Sequence, residues 1–318
     1  VRRFYPNTEA VSIFGGESGS FDPVLGVSSV QEFGKVFISI KSTTGNFIPQ
    51  VEKRRLVERL SPFTVASITP VIVDPETLFL ILDVSSIFNT NLTTLTSNDL
   101  ESVIVNSLTN FNNNNLKTFN SAFRHSQVTK LIDDSDTSLT SNVTKVVMGK
   151  FFTPLLDESV GYTISFNNSI YNPHSKHNSD QGGVVASTGF KVSGDATNEM
   201  FLDDDGSGYI RRFFILAGVK NYLDDKAGTV DYATGTIKLN PLTVTLVSNV
   251  DNTSSTQIRI TSIPDSVDII PVRNQLIEID LINTIVNVSI DGAAVGDITT
   301  VATSNRATSS YTTSVSGY

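Results

Sequence analysis

Cysteine and tryptophan are absent from the 318 residues, and histidine and methionine are scarce, at three and two. The first absence excludes disulfide scaffolds, thiolate zinc sites, iron–sulfur clusters and cysteine nucleophiles, and it leaves the redox compartment unreported. Charge is thin as well. Only 17% of residues are Asp, Glu, Lys or Arg, and 32 acidic against 23 basic side chains give a net charge of −9. A nucleic-acid binder would carry the opposite excess, clustered on one face. The longest apolar run, Leu78-Phe79-Leu80-Ile81-Leu82, is closed by Asp83. It has the length of a buried strand and falls well short of the ~18 apolar residues of a membrane span. No apolar segment of the secretory kind follows Val1-Arg2-Arg3-Phe4-Tyr5-Pro6. The start at Val1 without methionine reads as a fragment of a longer chain. Neither nucleic acid nor membrane is therefore expected as a partner. What fills the composition is Asn, Ser and Thr rather than the Glu and Lys of disordered chains, which suits a folded, β-rich chain of one large or two smaller domains.

Along the chain, residues 1–33 are rich in Gly, Ser and Pro, with turn signals at Gly15-Gly16-Glu17 and Asp22-Pro23, and read as an extended arm. Residues 34–153 read as an α+β domain. Lys35-Val36-Phe37-Ile38-Ser39-Ile40-Lys41 alternates as a strand. Pro49 opens an amphipathic helix with Val51, Leu56, Val57 and Leu60 on one face and an Arg54–Glu58 pair on the other. Two runs, 67–73 and 78–88, flank Asp74-Pro75-Glu76-Thr77 and predict a hairpin with a type I turn. Asn98 and Glu101 stand as a capping-box variant before the 3.6-residue stripe Leu100, Val103, Ile104, Leu108 and Phe111. A third helix is expected through Leu116, Phe119 and Phe123, ending before Asp133-Asp134, and 143–148 returns to strand. The order strand–helix–hairpin–helix–helix–strand defines the expected class.

After Pro154 the helical period disappears. Strand-like runs at 162–166, 210–217, 230–232, 236–239, 242–247, 258–263 and 276–288 predict a mostly antiparallel β region, read as a domain over 154–263 and a further segment over 264–298. Ala233-Thr234-Gly235 is a hairpin signal, because glycine supplies the positive φ such turns need. Residues 299–318 form a Ser/Thr-rich tail.

Candidate chemistry is sparse. His174-Ser175-Lys176-His177 has metal-like spacing, but Pro173 and the polar surroundings indicate a solvated loop without a third ligand. His125, beside Arg124, joins no nucleophile pattern. In Asp203-Asp204-Asp205-Gly206-Ser207-Gly208 the first, third, fifth and sixth positions of a calcium loop are met by Asp203, Asp205, Ser207 and Gly208, yet the twelfth is Phe214 instead of Glu. An acidic hairpin turn is the preferred reading. Asp133, Asp134 and Asp136 read likewise as a solvated cluster at a helix end. Arg211-Arg212-Phe213-Phe214 reads as a strand with a core or interface face rather than a nucleic-acid surface. Asn-x-Ser/Thr triplets at Asn91, Asn142, Asn167, Asn252 and Asn287 are expected by chance in such a composition. No P-loop, Rossmann fingerprint, G-x-S-x-G elbow or H-E-x-x-H occurs. No catalytic, cofactor-binding or metal-binding residue is singled out, and no cofactor is expected.

Gly15-Gly16-Glu17, the strand Gly34-Lys35-Val36-Phe37-Ile38-Ser39-Ile40-Lys41, the segment Pro49-Gln50-Val51-Glu52-Lys53-Arg54-Arg55 and the turn at Asp74-Pro75 together resemble one family. The chain is similar to the C-terminal half of the large baseplate wedge proteins of T-even-like, contractile-tailed bacteriophages, which are related to J-type baseplate proteins. Many J-type relatives place a proline after the strand, where this chain has Ser42. The resemblance implies a non-enzymatic structural virion protein, assembled in the host bacterial cytoplasm. It implies a subunit that pairs with itself as a homodimer and joins other wedge proteins in the ring around the tail hub, which rearranges when the sheath contracts. Two other classes are carried beside it: a receptor-binding adhesin, from the Asn/Thr-rich β half, and, less favoured, a tail-associated glycoside hydrolase with paired carboxylates.

Overall fold

The computed structural model describes residues 1–16, 21–22, 27–28, 33–43, 45, 48–64, 67–172, 183–251, 253–272 and 274–292. The expected α+β class is overturned. Strand accounts for 49% and helix for 17% of the chain, and no strand–helix–hairpin–helix domain forms.

The first sheet has the order β1-β4-β5. Strand β1 (Thr8–Gly15) pairs antiparallel with β4 (Lys35–Ser42), so part of the expected arm is sheet. Between them β2 (Phe21–Asp22) and β3 (Val27–Ser28) pair with each other. Strand β5 (Thr69–Val73) lies parallel to β4. Parallel neighbours need a crossover, and helix α1 (Gln50–Leu60) supplies it, packing Leu56 against Ile38, Ile40, Ile48 and Ile72. The stripe was wider on paper than in space: Val51 is exposed, while Lys53 is buried against Asp74, and the helix's ion pair runs Glu52–Arg55 rather than Arg54–Glu58.

The predicted hairpin at Asp74-Pro75 does not form. There the chain leaves one sheet and enters another. The Asp74 carboxylate accepts the Ile48 N–H at 3.2 Å and Lys53 Nζ at 2.5 Å, which ties the end of β5 to the start of α1. Beyond it β6 (Glu76–Phe88) runs for 13 residues in strict alternation of buried and half-buried positions. It is far longer than the five residues of β5 could pair. Its partners are β7 (Leu139–Phe152), antiparallel, and on its other side β16 (Gln275–Ile279) and β17 (Ile285–Ile290), both parallel. The single run expected at 276–288 is thus two strands laid end to end along β6.

Helix α2 (Ser97–Phe111) and helix α3 (His125–Asp133) cover the buried face of β6 and β7. The capping box is Thr96 with Asp99 rather than Asn98 with Glu101: Thr96 Oγ1 accepts the Asp99 N–H, and Asp99 Oδ2 accepts the Thr96 N–H. Thr96 wins because its hydroxyl suits the extended N-cap backbone. Residues 112–116 continue α2 as a π turn, so Leu116 and Phe123 are buried outside any α-helix, and α3 begins later than the periodicity predicted. Leu100, Ile104, Leu108, Val128 and Ile132 meet Leu78, Leu80, Leu82, Val84, Val146 and Met148 in one core.

The rest is antiparallel. Strands β10 (Phe190–Val192), β11 (Asp195–Asp204), β12 (Tyr209–Leu216), β13 (Val219–Asp231) and β14 (Thr236–Val247) pair in a closed circuit, a five-stranded barrel, because β10 contacts both β14 and β11. Closure of this kind removes sheet edges. Strand β8 (Ser159–Ser165) flanks the barrel on β14, and β9 (Val185–Ser187) with β15 (Ile258–Ser262) joins β11 to β7. The turn between β13 and β14 is the one expected, with Gly235 at φ +67° and packed so closely on the Asn168 carbonyl that a Cβ would not fit. The expected tail, residues 299–318, lies outside the described residues.

Two edges outside the barrel are met by side chains. Asn112 Oδ1 accepts the Ile279 N–H at 2.9 Å and its Nδ2 donates to the Ile279 carbonyl at 3.4 Å, so one amide stands in for a neighbouring strand on β16. On β17 the Val288 N–H is taken by Glu101 Oε1 at 3.3 Å. Asn112→Ala would leave two buried backbone groups unpaired. We expect a loss of about 2 kcal/mol, read as a lowered urea midpoint with unchanged slope.

Candidate assembly surfaces

The acidic run singled out in the sequence sits at the turn from β11 to β12, and its carboxylates are engaged from within. Asp203 is buried and receives Arg211 Nε at 3.0 Å, Lys220 Nζ at 2.8 Å and the Tyr222 hydroxyl at 2.9 Å. The Arg211 guanidinium lies 4.2 Å over the Tyr222 ring, a cation–π contact that holds the pair flat. Asp204 is fully buried and accepts the Tyr232 hydroxyl at 2.6 Å and the Val185 N–H at 2.7 Å. Asp205 turns the chain by accepting the N–H groups of Ser207 and Tyr209. Strand alternation explains the division: Asp203 and Asp204 point to opposite faces of β11, so each meets a different set of donors.

The other flagged residues also have structural partners. The His125 ring Nε2 donates to the Thr144 carbonyl at 2.9 Å, covering the edge of β7, and its backbone N–H meets Asp268. Asp133 accepts from Asn142, Asp134 pairs with Lys130 and Asp136 accepts from Ser138. His174, His177 and Asn252 lie outside the described residues. Two surface depressions stand out. One, of about 690 Å³, lies beside Gly206, Tyr232 and Asp231, whose carboxyl is held below its ordinary range by hydrogen bonds from Thr234 and Ala233. The other, of about 860 Å³, is bordered by Leu156, Lys191, Glu199 and Leu246.

Sequence reasoning did not single out the exposed apolar positions. The outer face of β6, β7 and β17 carries Val143 and Ile285, 59% and 56% exposed, beside half-buried Ile81, Ile87 and Val147. The Asp83–Lys145 pair crosses it at 3.3 Å. Register places these side chains on one face, opposite the core. The β12–β13 hairpin ends in an Ala217-Gly218 turn with both φ values positive, and Ile215, Leu216 and Val219 around it are more than half exposed. Clustered apolar exposure of this kind marks contact surfaces, whereas scattered single residues do not. The signal was readable only after pairing was known, because an alternating strand looks the same whether its second face meets water or a neighbour.

The ionic cluster sets a pH dependence. Burial first, and then the hydrogen bond to Asp203, pushes the Tyr222 phenol up to about 12, and Tyr232 is raised by burial and Asp204. Unfolded tyrosines lose their proton near 10. Between these values the folded chain holds more protons than the unfolded chain, so stability is intact below about pH 10 and falls as pH rises toward about 12. Chemical denaturation across that window should show the fall, and Tyr222→Phe should make it shallower. Asp203→Ala, which removes the carboxylate facing the buried Arg211, is expected to cost about 3 kcal/mol at neutral pH.

Comparison with known proteins accounts for the first half of the chain. Residues 1–73 match the family described as baseplate structural protein gp6, C-terminal domain I, and residues 76–150 match C-terminal domain III of the same protein. The break between the two falls at Asp74-Pro75, where the chain changes sheets. A further relative, baseplate wedge protein gp6 of Enterobacteria phage T4, is 25% identical over 128 residues, 38% of this chain and 19% of that protein. The chain therefore matches about a fifth of that relative's length. Two gp6 C-terminal domains thus match in succession over the first 150 residues, and in this part the chain is similar to a structural protein of the phage tail baseplate.

Proposed function

We propose that the chain works as an assembly module of the baseplate wedge, pairing with a second copy of itself and joining unlike wedge proteins in the ring around the tail hub. The observation that carries this reading is the succession of two gp6 C-terminal domains over residues 1–150. Exposed Val143 and Ile285 on the outer face of β6, β7 and β17, set among Asp83, Lys145, Ser85 and Asn287, support it, since apolar surface gains free energy when covered. Net charge of −9 opposes indiscriminate association, so pairing depends on surfaces that are complementary at the seam. Rearrangement of the ring on sheath contraction belongs to the same proposal. Weakly charged, Asn/Ser/Thr-rich surfaces suit seams that form and re-form, because they exchange hydrogen bonds at little desolvation cost compared with buried ions.

Sedimentation of the purified chain, alone and mixed with the wedge proteins encoded by the same phage, tests the proposal. Dimers alone and larger complexes in the mixture are expected. Val143→Asp or Ile285→Asp should weaken association by about tenfold or more while leaving the melting temperature nearly unchanged. Strictly monomeric behaviour at high concentration in every mixture would remove it.

A further inference from the structure

The β12–β13 hairpin outgrows the barrel wall. Its ladder to β11 ends at Met200 opposite Phe214, and its ladder to β14 spans Gly228–Asp231. Beyond these limits, among the described residues, Ile215 and Leu216 pair only with Lys220 and Val219. The ribbon is closed by the two-residue turn Ala217-Gly218, with φ +51° and +81°. A two-stranded ribbon of this kind is marginally stable by itself. It is also apolar on both faces. Lys220 lies over the Phe213 ring and reaches Asp203, which fixes its cross-strand neighbour Ile215 on the outer face of the barrel. Alternation then turns Leu216 and Val219 the other way. Ile215, Leu216, Val219 and, at a register shift, Leu223 are 53–64% exposed.

The groove of about 860 Å³ opens at the same end of the barrel. Leu156 and Leu246 border it and are half exposed, and Lys191, the cross-strand partner of Leu246, stands beside them. Glu199 forms part of its wall. Met200, the next residue, is buried in the core and pairs with Phe214. Glu199 therefore faces outward, and the groove wall ends where the ribbon begins. Ribbon and groove are neighbours at one end of the barrel, and both leave apolar side chains open to water.

We infer that the ribbon of one copy seats its uncharged tip, Leu216-Ala217-Gly218-Val219, in the groove of a second copy, whose own ribbon fills the first groove in return. Both halves of the contact are carried by one chain at one end of the barrel. A two-fold axis satisfies them together, and an isologous contact of this kind closes at a dimer. The area suffices. Full burial of Ile215, Leu216, Val219, Leu223, Leu156 and Leu246 on both copies removes about 1,300 Å² from water, inside the roughly 1,200–2,000 Å² of a stable pair. The inference rests on the assembly reading above and gives its self-pairing a place, in the part of the chain beyond residues 1–150. The outer face of β6, β7 and β17 is left to unlike partners.

The chain has no cysteine, so introduced thiols report the contact cleanly. Full-length Val219→Cys mixed with full-length Leu246→Cys should give a covalent dimer on mild oxidation, whereas Val143→Cys mixed with Leu246→Cys should not. In sedimentation, Leu216→Asp on the ribbon and Leu246→Asp in the groove should each weaken the dimer about tenfold or more. Both sites are exposed, so the melting temperature should stay nearly unchanged, and complexes with the wedge proteins of the same phage should still form. Dimers of both variants as tight as those of the unaltered chain overturn the inference and leave the assembly reading standing. So does a dimer that gives no link between residues 219 and 246. Loss of complexes with unlike wedge proteins while the dimer persists assigns the ribbon to such a partner and overturns the inference. An unaltered chain that is monomeric alone and in every mixture overturns both.

Discussion

The constraint on which this fold depends is that every strand has two sides of hydrogen-bonding groups and only so many neighbours. A buried unpaired N–H or C=O costs about as much as a lost hydrogen bond. The protein meets the requirement in three ways. The second half closes five strands on themselves. The 13-residue β6 takes one long antiparallel partner and two short parallel ones in tandem. Where no strand is available, side chains of the helical layer fill in, as Asn112, Glu101 and His125 do. Helices α2 and α3 are therefore more than a hydrophobic cover. They bring polar atoms to backbone positions that would otherwise be open.

Buried ions do a related task at the joins. Lys41 on β4 pairs with Glu278 on β16, linking the first sheet to the second. Lys150 on β7 pairs with Glu76 at the head of β6 and also reaches Ser165 on β8. Asp203 gathers Arg211 and Lys220 across β11, β12 and β13. Buried pairs add little net stability over an apolar filling, but each penalises any arrangement that separates its members. The first two lie at contacts between elements distant in sequence, which fits a role in fixing how the parts meet.

Local pattern carried a good part of this into the sequence. The β4 alternation, the α1 start at Pro49, the α2 stripe and the Gly235 turn were all legible because each is decided within a few residues. Partner choice was not. Asp74-Pro75 has the chemistry of a hairpin turn, yet the long-range ties of Asp74 to Ile48 and Lys53 send the chain to a second sheet, and the class changed from α+β to mostly β with it. The partners of Lys41 and Lys53 are the distant carboxylates of Glu278 and Asp74, to which no local pattern points. The run at 276–288 concealed an interruption, because the turn at residues 280–284 is held by Asp280 and Thr284 through contacts to β6 and to its own backbone. The apolar outer face was hidden for the same reason: its meaning depends on what lies opposite, and a sequence does not state that.

The tandem placement of β16 and β17 along β6 has a mechanical consequence. Pulling β6 along its own axis would load its bonds to β7, β16 and β17 in shear, so many would have to fail together. The first sheet is connected covalently through Asp74-Pro75, with the Lys41–Glu278 pair between β4 and β16. Tension on that tether would test contacts one after another. The ladder around β6 and the join to the first sheet would thus meet an applied load in different ways.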